Sequence, residues 1–400
     1  MHSIVVRVAQ LFVTLAVGIA ILGTLAVWRL SKGPVSLDFL TPAIESSLAV
    51  EGMPLAVQID ETTLQWGGWR RALDLRGLNI RVFGSDGRLV AVLPEVSMGL
   101  SIKGLLRGDL AISRLDVSGL RAVLARHPDG RFDFSVPADG DDPQSQAEGF
   151  AEAASEILRA AGEGRGPFRY LDRFSILSAK VRYVDEANRQ LWTMPAADMI
   201  TVFRPAMIES RFNMVVENGG ASTELAATVL HDRKTGRIGG RVDFDKLQPT
   251  LIARAVPHLS QFAGVRMPFS GSAHFDVAQG WQLRGLRLQL ASEAGRAVIA
   301  LQYPTAGAQV QVFARLEDVR VGALARATPA IASLAGIDIP VSGQIEGKAL
   351  SSSDFQLLRV NLTGGEGEIE LPGILPRRAK VAALRLAASL REDGAEIDLE

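Results

Sequence analysis

The chain has 400 residues, enough for two or three ordinary domains or one extended repetitive one, and its apolar fraction of 47% is ample for a core. Lys+Arg 43 against Asp+Glu 44 leaves a net charge of -1 with no basic run, which argues against nucleic acid as the main partner. Cysteine is absent, which excludes disulfides, thiolate metal sites and a cysteine nucleophile, and suits passage into an oxidising compartment.

The first predicted element is an apolar helix. From Val8 to Trp28 there are 21 residues without a charge, only Gln10 being strongly polar, bounded by Arg7 and by Arg29 and Lys32. At 1.5 Å per residue this is about 31 Å, enough to cross the ~30 Å hydrocarbon core. Trp28 falls where an interfacial aromatic belongs. A cleaved signal peptide is the rival, but its apolar region is about 7–15 residues and ends in a small-x-small site. Residues 1–32 therefore read as a short cytoplasmic stub and an uncleaved transmembrane anchor. Basic residues flank both ends, so the orientation rests mainly on the character of the chain beyond the anchor.

Residues 33–136 read as an N-terminal β module. Leu73, Leu75, Leu78, Ile80 and Val82 interleave with Asp74, Arg76, Asn79 and Arg81, with Gly77 at the break. Successive strand side chains point to opposite faces, so one face is aliphatic and the other charged. The same pattern recurs at 112–124, 283–290, 310–316 and 381–386. Asp86-Gly87, Asp129-Gly130 and Asp393-Gly394 are hairpin turn signals. The expectation is an antiparallel sheet with one greasy face. Pro137 to Gly149 is acidic and turn-rich and reads as a loop. Phe150 to Ala161 reads as an amphipathic helix ended by Gly162 to Pro167, and residues 137–168 form a module boundary.

Residues 169–400 read as a repetitive β region. The segment Leu251–Phe275 matches Ala323–Gly347 at a constant offset of 72, with nine identities in 25 ungapped positions. Each copy predicts a short Pro-interrupted helix, an Ala-Gly stop, a Pro-x-Ser-Gly entry and then strands. Gly264 and Gly336 are expected at helix C-caps, and Pro268 and Pro340 prevent the helix from resuming. Residues 381–400 read as a strand, a turn and the start of a returning strand, which suggests the front part of a longer protein.

No catalytic, cofactor-binding or metal-binding constellation emerges. There is no HExxH, no His pair at i and i+4 and no carboxylate-rich calcium loop. His258 and His274 are replaced by Ala330 and Glu346 in the second copy, so they read as solvated or helix-surface histidines. Gly162, Gly164 and Gly166 imitate a phosphate loop without its Lys-Ser/Thr ending. Lys234-Thr235-Gly236 lacks the Ser-x-x-Lys that accompanies it in β-lactamases and reads as a hairpin turn. Asp141-Asp142 and Glu366-x-Glu368 read as surface and loop acids, and the chain is not expected to be an enzyme. What remains is the aliphatic face, which is either a packed core or an open groove for acyl chains.

At this point the residues resemble a known group. After the anchor comes Phe39-Leu40-Thr41-Pro42-Ala43-Ile44-Glu45, then Gly77-Leu78-Asn79-Ile80-Arg81-Val82 with Asp86-Gly87-Arg88-Leu89. Leu93-Pro94-Glu95-Val96 with Leu100, Leu105-Leu106-Arg107-Gly108, Ile112-Ser113-Arg114-Leu115-Asp116-Val117 and Asp129-Gly130-Arg131-Phe132 come next, in that order. This order resembles the start of the AsmA-like superfamily, and most of all its YhdP-type, TamB-related branch in Gram-negative bacteria. The Ala-Gly-x-x-x-Pro-x-Ser-Gly repeats resemble that branch's central region.

The resemblance implies an elongated, curled antiparallel sheet forming a taco-shaped groove with a few short helices. It implies an inner-membrane protein with its bulk in the periplasm, conducting phospholipid or another acyl-chain lipid towards the outer membrane. It transfers no catalytic residue, and such proteins are usually much longer. The residues expected to line the groove are Leu78, Ile80, Val82, Ile112, Leu115, Val117, Leu286, Leu288, Leu290, Val310 and Val312. The alternative is an envelope assembly scaffold of the same fold that handles outer-membrane or periplasmic proteins through its sheet edges.

Overall fold

The computed structural model describes residues 32–42, 45, 56–66, 73–83, 89–101, 112–135, 169–255, 263–303, 310–351, 354–371, 375–391 and 394–399, with isolated positions at 17–18, 28–29, 104, 107 and 260. The expected anchor over 8–28 lies almost wholly outside the described residues, as do the acidic loop, the amphipathic helix after it and the turn at Asp86-Gly87. No helix among the described residues is long and apolar enough to cross a membrane. The chain is mainly β, its pairing mostly antiparallel, and it divides into two units, Met1–Lys180 and Val181–Glu400.

The first unit holds β1 (Val35–Ser36), β2 (Ala56–Trp66), β3 (Leu73–Phe83), β4 (Leu89–Leu100), β5 (Ile112–Ser118), β6 (Arg121–Arg126) and β7 (Phe132–Ser135). β8 (Arg173–Asp185) begins in this unit and runs into the next. β1 to β5 pair in sequence order, all antiparallel. The sheet then departs from the expected hairpin ladder, because β8 pairs with β5 in parallel, Leu115 opposite Phe174 and Val117 opposite Ile176. The reason lies in Gly119, whose φ of 73° kinks the run 112–126 into β5 and β6 without reversing it. β8 can therefore follow both halves: the Gly119 amide donates to the Leu177 carbonyl, and the Lys180 amide to that of Leu120.

A second departure concerns β3. Its alternation breaks at Asn79, whose φ is 49°, and not at Gly77. A Cβ at Gly77 would meet Ile80 Cδ1 and Ile59 Cγ2, so Gly77 and Ile80 share a face. Leu78 consequently turns to the opposite face, across from Glu61 and Glu95. On the polar side, Arg114 hydrogen-bonds Asp74 and places Nε 2.8 Å from Asp116 Oδ2. These charges are largely shielded from water, and each has an opposite charge beside it.

The second unit is a ladder of twelve antiparallel strands. β9 (Gln190–Phe203), β10 (Met207–Asn218), β11 (Ala221–Asp232), β12 (Ile238–Leu247), β13 (Phe269–Ala278), β14 (Gln282–Ser292), β15 (Gly295–Gln302) and β16 (Val310–Arg320) pair in sequence order. β18 (Pro340–Ser351), β19 (Asp354–Gly364), β22 (Leu384–Arg391) and β23 (Gly394–Leu399) continue it. β17 (Ile337–Asp338), β20 (Gly367–Leu371) and β21 (Leu375–Val381) form a separate three-stranded sheet.

The 72-residue repeat is repeated in three dimensions. Helix α1 (Pro249–Ala255) recurs as α2 (Val321–Ala327), at the same offset. Lys246 and Asp318, also 72 apart, both have φ of 51° and sit at β-bulges that end β12 and β16. The bulge amide donates to the hydroxyl of the Ser-Gly pair on the next strand: Lys246 to Ser270 at 3.0 Å, and Asp318 to Ser342 at 2.9 Å. The following glycine has no room for a side chain. A Cβ at Gly271 would lie 1.9 Å from the Gln289 carbonyl oxygen, and one at Gly343 would lie 2.1 Å from that of Asn361. Gly264 and Gly336 are not the left-handed helix caps expected of them. The second copy nevertheless has the Pro-interrupted helix with its Ala-Gly stop: α2 ends at Ala327, a 3-10 helix runs Pro329–Leu334, and Ala335-Gly336 follows it. Gly336 instead lets β20 approach, its carbonyl accepting the Glu370 amide at 2.9 Å.

Candidate functional site

Residues directly opposite each other in a ladder share a face. Followed across the second unit, one row passes through Met199, Phe212, Ala227, Val242, Ala273, Leu288, Ile299, Ala314, Ile345, Val360 and Ala388. Every member is apolar. The row two residues along contains Met214, Leu225, Phe244, Leu290, Leu316, Leu362 and Leu386, with Gly271 and Gly343 where the bulges demand them. A row on the other side adds Val229, Phe275, Leu286, Leu301, Val312 and Leu358, and the Phe275 ring lies over Gly240.

The reverse face has the opposite character. Its central row reads Arg211, Thr228, Arg241, His274, Arg287, Ala300, Phe313, Glu346, Arg359 and Ser389. His274 lies in β13 between Arg241 and Arg287, on a strand and not on a helix surface. Arg241 forms an ion pair with Asp243 at 2.5 Å, and Arg359 lies 3.9 Å from Glu346.

The apolar face is neither sealed nor fully open to water. The members of its central row are all half-buried, shielded by their cross-strand and i±2 neighbours. Full burial of apolar side chains in this unit is confined to one rim, where the bulges and helices lie. Trp192, Val216, Ala221 and Leu251 of α1 form a buried cluster there, with Tyr183, Met194, Met214, Leu225 and Leu247 packed against it. Ala325 of α2 and Ile339 are completely buried at the corresponding place in the second repeat. Among the described residues, the other rim carries the β9–β10, β11–β12 and β13–β14 turns. The apolar band thus has a closed side and an open side.

The sequence candidates divide accordingly. Leu286, Leu288, Leu290, Val310 and Val312 all lie on this half-exposed face. Ile80, Val82, Ile112, Leu115 and Val117 are 5–8% exposed, enclosed in the core of the first unit. Leu78 is on the charged side of its strand. Sequence reading missed the phenylalanines of β10, β12 and β13, which only the register aligns with Leu288. Among the described residues, no group of three or more His, Asp or Glu side chains could hold a metal ion. His258, the glycines at 162–166 and Asp141-Asp142 lie outside the described residues, and Lys234-Thr235-Gly236 lies in the β11–β12 turn.

No protein-family model matches the chain, and neither a curated protein nor a solved structure does.

Proposed function

We propose that the second unit carries the acyl chains of lipids on its apolar face, as a non-enzymatic, inner-membrane-anchored conduit of the AsmA-like, YhdP type. Its bulk lies in the periplasm, and phospholipid moves along it towards the outer membrane. The observation that carries this reading is the unbroken apolar row from Met199 to Ala388, half-exposed along its whole course. A packed core would bury such a row, and an ordinary solvated face would interrupt it with charge.

The magnitudes favour it. Each buried CH₂ is worth ~0.8 kcal/mol, so a 16-carbon chain leaving a bilayer for water costs on the order of 12 kcal/mol. Three apolar rows spaced by two residues span about 13 Å along the strands. That approaches half of the ~30 Å bilayer core, the depth that one acyl chain fills. Twelve strands at ~4.8 Å extend the band roughly 50 Å in the other direction. The charged reverse face keeps the sheet soluble, and the open rim leaves room for head groups in water.

The test is photo-crosslinking of the full chain in membranes. A crosslinker at Leu288 should form lipid adducts, and one at the adjacent outward position Arg287 should not. Equal labelling at both positions, or protein adducts in place of lipid at Leu288, would reject lipid carriage, the second outcome favouring the scaffold role.

A further inference from the structure

Trp281 is the most exposed large apolar side chain among the described residues, at 83%. It sits at the tip of the β13–β14 hairpin, after Gln279 and Gly280, with φ of 62°, so the backbone of the turn holds it outward. It does not stand on an isolated tip. The β11–β12 turn abuts it, since a Cβ at Gly236 would meet Gln279 Cγ at 3.3 Å. The Arg233 amide donates in turn to the Ala206 carbonyl of the β9–β10 turn at 3.1 Å. Three successive hairpin tips therefore form one surface on the open rim.

That surface is cationic. Arg233, Lys234, Arg237 and Arg284 stand against Asp232 and Asp276, an excess of two positive charges (four minus two). Asp276 is paired with Arg237 at 2.5 Å. Asp232 accepts the amides of Lys234 and Thr235, which hold its carboxyl below the usual carboxylate range and fix the turn. Leu283, 37% exposed, adds apolar surface beside the tryptophan.

We infer that this three-tip rim docks on an anionic lipid surface, with Trp281 seated at head-group level and the basic side chains reaching phosphates. A lone amphipathic ring framed by long cations suits a membrane interface. It suits a protein partner poorly, because a stable interface buries about 800 Å² per side around a packed apolar centre, which three turn tips with one ring do not offer. The inference does not depend on lipid carriage in the trough.

The test uses the full chain in zwitterionic nanodiscs, so that its N-terminal apolar segment is already in a bilayer. Flotation with separate vesicles then reads docking. Vesicles of phosphatidylglycerol and phosphatidylcholine should lift the protein in a salt-sensitive way, and pure phosphatidylcholine should lift it far less. Trp281→Ala and Lys234→Glu should each weaken the partition roughly tenfold, a loss of the size expected for an interfacial anchor or a charge reversal. Arg359→Glu, on the reverse face, should leave it unchanged. Both tip residues are exposed, so circular dichroism should show an unaltered fold. No preference for the anionic vesicles, or partition unaffected by Trp281→Ala, overturns the inference. So does tip-dependent capture of an acidic polypeptide without vesicle binding.

Discussion

At the scale of single residues, the Ser-Gly pairs of the two repeats are the most constrained positions. Ser270 and Ser342 satisfy a bulge amide that no ladder partner reaches, and the glycine beside each has a neighbouring strand's carbonyl where Cβ would be. Gly343 has in addition a φ of 154°. Gly343→Ala is expected to destabilise the second unit by roughly 2–4 kcal/mol, because both strain and overpacking act there. Thermal unfolding of the full chain checks this, with Gly239→Ala as the control, where the nearest atom is an ordinary 3.8 Å away. The identity of these glycines was legible in the sequence as a repeat, but their reason was not. A bulge residue such as Lys246 or Asn79 carries no glycine to announce its left-handed backbone, so alternation counted through it assigns Leu78 to the wrong face.

Secondary-structure elements tell a similar story. The strands were readable, since Leu286, Leu288 and Leu290 alternate with Arg287 and Gln289, and a period of two belongs to a strand with one apolar face. Register was not, because pairing depends on turn lengths and bulges that no single strand encodes. That is why the sequence could not align Phe212 or Phe244 with Leu288, nor foresee that β8 would lie parallel to β5. The helices are too short to be stable alone and depend on packing against the closed rim. Leu251, 3% exposed, is the contact that anchors α1 to Trp192 and Val216. Leu251→Ala should cost about 2–5 kcal/mol through the cavity it leaves. Chemical denaturation should show that loss, whereas Leu288→Ala on the open face should cost less, since water already reaches that side chain.

The whole second unit is a tandem array in which each repeat contributes one helix and a set of strands. The offset of 72 extends to register: Val242 faces Ala273 on β13, and Ala314 faces Ile345 on β18. Deleting residues 248–319 should therefore leave a folded chain in which β12 takes the place of β16. In that chain cysteines at Val242 and Ile345 should form a disulfide, and the native sequence contributes no thiol to compete. In the undeleted chain the same two positions are five strand spacings apart, about 24 Å, and should stay reduced. The two copies part company at β15 and the strand 72 residues after it. β15 stays in the main ladder, whereas its counterpart β20 leaves for the small sheet and β22 takes the vacated place beside β19.

Pairing between successive hairpins has a consequence for how the polypeptide reaches its native state. From β9 to β16 every strand finds its partner in the segment synthesised just before it, often across a turn as short as Glu293-Ala294. Contacts so local in sequence carry a small loop-closure penalty and favour rapid acquisition of structure. This array can zip up one arm at a time while later residues are still emerging from a ribosome or a secretion pore. The partnerships of β12 with β13 and of β16 with β18 wait for the helical segments between them, and that of β19 with β22 waits for β20 and β21.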